Sequence, residues 1–187
     1  VDWFGAQFPY LSANLDFAAD GDLSGLFTSE IRETSSYAFD LLTARDDPAD
    51  PAARGSDSVP ETIAPSATVT VDGETVGLVG ATTQRISTIT SNGDAVDETG
   101  GVVDMAALAA ELQPEIDALT ATGVNKIVLI SHLQQIALEK ELAGLLRGVD
   151  VIIAGGSDTL QADGNDRLRS GDAADDGAPG GGDDGGA

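Results

Sequence analysis

The C-terminal half of the chain alternates between amphipathic and wholly apolar segments, and this alternation limits the possible folds most narrowly. Residues 104–122 and 136–146 carry apolar side chains at helical spacing, whereas residues 126–132 and 149–156 are apolar runs of strand length. Helix, strand, helix, strand, with apolar strands, is typical of a parallel sheet covered on its faces. We therefore predict an α/β fold that contains a right-handed βαβ unit.

The helix predicted at residues 104–122 has recognisable ends and one interruption. Asp104 is placed to cap its N-terminus, and Gly123 is placed to end it. Pro114 falls inside the pattern, which predicts a kink or a break, because proline lacks the amide hydrogen that the helix requires.

The middle of the chain predicts a β-hairpin. Residues 67–71 alternate as an exposed or edge strand does, and residues 76–81 are nearly all apolar or glycine, as in a buried strand. Asp72 and Gly73 lie between them and favour a tight turn.

The N-terminal region is harder to interpret. Residues 8–15 predict a buried strand that begins with a proline, and residues 30–42 predict a short helix. Residues 46–51 predict a surface loop, because Asp and Pro dominate there. Residues 163–187 hold too few apolar side chains to repay the entropy of ordering, so we expect a flexible acidic tail.

The charge balance excludes several functions. The chain has 32 acidic residues, 9 basic residues and a formal net charge of −23. Such a surface repels nucleic acids and anionic membranes, and it is typical of strongly hydrated proteins. No cysteine is present, so disulfides, thiolate catalysis and Cys-type zinc sites are excluded. No run of about 18 apolar residues predicts a membrane span.

Polar groups follow two neighbouring predicted strands at the edge where parallel sheets bind ligands. Ser131 and His132 end the first strand, and Gly155, Gly156 and Asp158 follow the second. His132 is the only histidine, and imidazole with carboxylate suits Zn²⁺, Mn²⁺ or Fe. A hydrogen-bonded histidine beside an ordinary turn fits the same pattern, since a zinc site needs three or four ligands.

Three stretches in order resemble the calcineurin-like metallophosphoesterases, and among them the bacterial 5'-nucleotidase group. The sequence Phe-Pro-Tyr-Leu-Ser-Ala-Asn-Leu at 8–15 resembles the strand after that family's Gly-Asn-His-Glu motif. Residues 76–83 are similar to its next signature strand, and residues 124–159 to its last two metal-binding strands. The resemblance implies part of the family's α/β sandwich, with residues 1–162 as a partial catalytic domain.

The resemblance also implies roles for single residues. His132 matches the metal-ligand histidine after the strand, and Asp158 stands at the last ligand position of the Gly-His-x-His motif. Gly156 stands at the first of those positions, which puts one metal position in doubt. Asn14 does not match the family's ligand asparagine, so we expect it to bond backbone at the end of a strand.

The activity that the resemblance implies is hydrolysis of phosphate monoesters, such as nucleotides, with two divalent metal ions (Zn, Mn, Fe or Mg) in a periplasmic or secreted parent protein. The family's Asp-x-His, Gly-Asp and Gly-Asn-His-Glu motifs do not occur in this chain. We therefore expect an internal fragment that is inactive alone and that needs N-terminal and C-terminal segments in cis. No catalytic residue is assigned, and substrate-binding residues stay unknown.

Two other functions fit the residues. One is a non-catalytic acidic α/β binding module with a degenerate metal site, which the glycine at position 156 favours. The other is a sugar- or peptide-binding α/β domain without metal.

Overall fold

The computed structural model describes residues 8–37, 61–97 and 99–157. Within these ranges the main body is a five-stranded sheet with the strand order β3-β5-β6-β8-β9. Two pairs of short strands, β1 with β4 and β2 with β7, lie outside this sheet. The strands are β1 (Tyr10–Leu11), β2 (Leu15–Asp16), β3 (Arg32–Glu33), β4 (Ile63–Ala64), β5 (Ser66–Val71), β6 (Glu74–Thr82), β7 (Val96–Asp97), β8 (Ile127–His132) and β9 (Val151–Gly155). The α-helices are α1 (Ile86–Ile89), α2 (Met105–Ala121) and α3 (Ile136–Ala143).

The sheet combines an antiparallel hairpin with a parallel half. β5 and β6 pair antiparallel around Asp72 and Gly73, whose φ angles of 51° and 83° are both in the left-handed region. Such a pair of positive φ angles is typical of the tight hairpin turn that Asp-Gly favours. β6, β8 and β9 pair parallel, with α2 and α3 in the two crossover connections. The predicted α/β class, hairpin and βαβ unit are therefore confirmed.

Helix α2 runs unbroken through Pro114, so the predicted break does not occur. The Asp104 carboxylate caps its N-terminus by accepting a hydrogen bond from the amide of Ala107 at 2.9 Å. Gly123, with a φ of 95°, follows the end of the helix. A proline costs an internal helix about 3 kcal/mol, but four large side chains of α2 are fully buried, and their packing outweighs that cost. These side chains are Leu108, Leu112, Ile116 and Leu119.

The hydrophobic core lies on the side of the sheet that α2 and α3 cover. Ile127 and Leu129 of β8 point into this core, together with Leu142 of α3. The expectation that both faces are covered is wrong for the described residues, because Ile130 of β8 and Ile153 of β9 are exposed on the other face. Alternation along a strand sends neighbouring side chains to opposite faces, so an apolar run does not by itself cover both.

The N-terminal predictions need correction. Residues 8–15 form two short strands, β1 and β2, because the first pairs with β4 and the second with β7. Phe8 and Tyr10 are exposed rather than buried. Within the predicted range 30–42, the described residues form β3 and then a short 3-10 helix at Thr34–Tyr37, shorter than the range that the sequence indicates.

Other predictions differ in length or fall outside the described part of the chain. Helix α3 ends at Ala143, earlier than predicted, where the amide of Gly144 bonds the carbonyl of Glu141. The predicted loop at 46–51 and the predicted tail at 163–187 lie outside the described residues, as do residues 38–42. In the described ranges, no helix is long and apolar enough to cross a membrane.

Candidate functional site

The carboxyl ends of three parallel strands meet at one edge of the sheet. Thr82 at the end of β6 is in register with His132 at the end of β8, and His132 is in register with Gly155 at the end of β9. The sequence therefore brings His132 and the loop after β9 together, as the parallel arrangement predicted.

The imidazole of His132 lies against the backbone of two glycines. A Cβ built on Gly155 would be 3.4 Å from Nδ1 of His132, and one built on Gly156 would be 2.5 Å from its Nε2. The second Cβ would also lie 3.2 Å from Oε1 of Gln134. Gly156 has a φ of 81°, a conformation that L-residues rarely adopt. Position 156 thus favours glycine for its backbone, and any larger residue there would also displace the ring of His132.

A buried carboxylate holds the end of β8 that carries His132. Oε1 of Glu139, on α3, accepts a hydrogen bond from the amide of Leu133 at 3.2 Å and another from the hydroxyl of Ser131 at 3.4 Å. Glu139 is 3% exposed, and its burial raises the pKa of the carboxyl above its ordinary value. Sequence analysis missed this residue, although its place on α3 three residues before the buried Leu142 indicates an inward-facing position.

Asn14 fixes the end of the neighbouring strand. Its Oδ1 accepts a hydrogen bond from the amide of Thr82 at 2.8 Å, and its Nδ2 donates to the Thr82 carbonyl at 2.9 Å. Nδ2 also donates to Oδ2 of Asp97 at 3.0 Å. The expectation that Asn14 bonds backbone at a strand end is therefore confirmed.

The described residues do not complete a metal site. Asp158, the second predicted ligand, lies outside them. His132 is exposed at the sheet edge, and across residues 8–37, 61–97 and 99–157 no three His, Asp or Glu side chains are grouped so that they could hold a metal ion. A single imidazole falls short of the three or four protein ligands of a zinc site, so we assign no reaction step to a metal held by these residues alone.

Comparison with known proteins shows which proteins this chain is similar to. No family model matches the chain. It is 34% identical over 113 residues to the 5'-nucleotidase of Diplobatis ommata, a match that covers 57% of this chain and 18% of that protein. It is 28% identical over 141 residues to the snake venom 5'-nucleotidase of Naja atra, covering 75% of this chain and 24% of that protein. Among solved structures, the 5'-nucleotidase precursor from Thermus thermophilus matches with a TM-score of 0.54 and 28% identity, covering 84% of this chain and 22% of that chain.

The fold and the candidate site together define an α/β chain in which Thr82 and His132 lie at the carboxyl edge of a largely parallel sheet. The comparisons confirm the resemblance to this extent: the chain is similar to part of several 5'-nucleotidases. It spans between 18% and 24% of the length of these relatives.

Proposed function

We propose that the parent protein of this chain is a hydrolase that removes phosphate from nucleotides, as the 5'-nucleotidases do by name. The observation that carries the proposal is the similarity to proteins of that name over 57% to 75% of the chain. The position of His132 at the carboxyl edge of the sheet supports it, because open α/β sheets bind their ligands at that edge.

In this proposal, residues 1–162 are part of the catalytic domain, and residues 163–187 are an acidic tail. His132 and Asp158 are ligands of a centre with two divalent metal ions, of which Zn, Mn, Fe and Mg are the candidates. Such a centre, if bound, would supply Lewis-acid stabilisation of a phosphate ester and a lowered pKa for a bound water. Other segments of the parent supply the remaining ligands, so the 187-residue chain is inactive alone.

We further propose a periplasmic or secreted location for the parent. The snake venom relative and the relative described as a precursor support this, since both names refer to proteins that are exported or processed. The net charge of −23 excludes neither compartment, and it disfavours nucleic acid as a partner.

The test compares the parent protein with the isolated chain. Release of inorganic phosphate from a nucleoside 5'-monophosphate is measured before and after removal of divalent metal with a chelator, and after Mn²⁺ or Zn²⁺ is restored. We expect turnover by the parent that the chelator abolishes and the metal restores, and none by the 187-residue chain. Turnover that survives the chelator, or robust turnover by the chain alone, would contradict the proposal.

A second candidate function is a non-catalytic acidic binding module with a degenerate metal site. The observation that favours it is the ring of His132 lying where a side chain at position 156 would have to be. Elemental analysis of the purified parent separates the two functions. Close to two metal ions per chain supports the hydrolase, whereas substoichiometric metal supports the module.

A further inference from the structure

We propose that Glu139 is a positioning residue, which bonds the residues on both sides of His132 and so holds the imidazole against Gly156. The functional part of this inference rests on the proposed function, in which the position of the His132 imidazole affects the chemistry. The structural role itself can be tested without metal or substrate.

The geometry of one carboxylate oxygen carries the inference. Oε1 of Glu139 accepts hydrogen bonds from the residue before His132 and from the residue after it. Ser131 and Leu133 are both buried, whereas His132 between them is exposed. Strand alternation already turns the ring of His132 away from the interior. The carboxylate bonds the two buried neighbours and so fixes the end of the strand that carries the ring.

The turn that follows His132 has a strained backbone, which the hydrogen bonds of Glu139 help to hold in place. Gln134 has a φ of 75°, which costs free energy for a residue that is not glycine. The hydroxyl of Ser131 also lies 3.4 Å from the carbonyl oxygen of Ile153 in β9, so its single proton is shared between this carbonyl and the Glu139 carboxylate. Glu139 thereby connects α3 to the end of β8.

Stability alone does not account for a glutamate at this position. Its second oxygen, Oε2, is buried without a hydrogen-bond partner among the described residues. A buried carboxylate with an unpaired oxygen is costly, and a leucine of similar size would fill the space without that cost. The two bonds beside His132 are what the glutamate provides and a leucine could not.

The test uses three variants of the 187-residue chain and nuclear magnetic resonance without metal. Glu139→Leu removes the acceptor, whereas Glu139→Gln keeps a carbonyl oxygen that can accept both bonds. Glu141→Leu is the matched control, since Glu141 is an exposed residue of the same helix. The readouts are hydrogen exchange of the Leu133 amide and the ring signals of His132, which are unambiguous because it is the only histidine.

We expect exchange of the Leu133 amide to accelerate at least about tenfold in Glu139→Leu, with a shifted ring signal, and to recover toward wild type in Glu139→Gln. Glu141→Leu should change neither readout. If Glu139→Leu stays folded and leaves both readouts unchanged, the proposal is wrong. If instead all variants are equally perturbed, the effect belongs to the helix and not to the carboxylate, which also overturns it. A parent protein without phosphatase activity would refute the proposed function and leave these results standing.

Discussion

His132 and Gly156 fit each other so closely that a Cβ at position 156 would lie 2.5 Å from Nε2 of the imidazole. The backbone of Gly156 and the side chain of His132 thus lie in contact at the ends of the neighbouring strands β9 and β8. In the proposed function this matters directly, because the resemblance implies a metal ligand at position 156, where this chain has glycine and the ring of His132 lies close by.

Replacement of Gly156 by alanine tests this fit. We expect Gly156→Ala to lower the free energy of unfolding by about 1–2 kcal/mol, since a positive φ is strained for alanine and the ring must move. Gly144→Ala is the control, because Gly144 has a φ of −76° and a Cβ there would meet only the Glu141 carbonyl oxygen at 3.4 Å. Urea unfolding of both variants measures the difference. Equal stability of the two would show that the ring does not rest on Gly156.

Gly80 of β6 allows the backbone of β1 to lie in close contact with β6. A Cβ at Gly80 would overlap the backbone carbonyl of Leu11, which cannot rotate away as a side chain can. We expect Gly80→Ala to destabilise the fold by about 2–3 kcal/mol through overpacking. Gly77→Ala is a milder comparison in the same strand, because its nearest neighbours are methyl groups of Leu119 at 3.0 Å and Val124 at 3.2 Å. A Gly77 variant less stable than the Gly80 variant would argue against this docking of β1.

Asn14 makes three hydrogen bonds in a nearly buried position, two of them to the backbone of Thr82. We expect Asn14→Ala to cost about 2–3 kcal/mol, because the Thr82 amide and the Asp97 carboxylate lose a partner. Asn125→Ala, at an exposed position, should stay within about 0.5 kcal/mol of wild type. Thermal unfolding monitored by circular dichroism checks both. If the two asparagines prove equivalent, the clamp at the end of β6 contributes nothing to the fold.

The hydrogen bonds of Asp20 predict that the free energy of unfolding depends on pH. Hydrogen bonds from the backbone amides of Asp94, Leu23 and Asp22 hold the pKa of its carboxyl below the ordinary value of 3.8. A lowered pKa in the folded state stabilises the protein above the unfolded value, and this contribution is lost as the pH falls through the folded value. We expect Asp20→Asn to flatten the loss of stability with acid between about pH 5 and pH 3. Urea titrations over that range measure it, and parallel curves for the two proteins would contradict the assignment.

The parts of the fold that the sequence predicts are those in which a local pattern determines the structure. The hairpin around Gly73 and the capped helix α2 each follow from residues next to one another in sequence. The division of residues 8–15 into β1 and β2 does not, because it depends on pairing with strands about 50 and 80 residues further on.

In the candidate site, too, only the features that depend on a local pattern could be predicted from the sequence. His132 was predicted at the sheet edge, since the end of an apolar strand is a local signal. The contact of its ring with Gly156 and the bonds of Glu139 could not be predicted, because each joins elements whose relative placement comes only from packing. The role of Asp158 stays a prediction, since that residue lies outside the described part of the chain.

The most direct test of the central claim is the value of kcat/KM for a nucleoside 5'-monophosphate, measured on the parent protein with and without His132→Ala. Loss of a metal ligand should lower it at least about a hundredfold, and bound metal per chain should fall with it. An unchanged kcat/KM and unchanged metal content in the folded variant would contradict the assignment of His132 to a phosphoesterase metal centre.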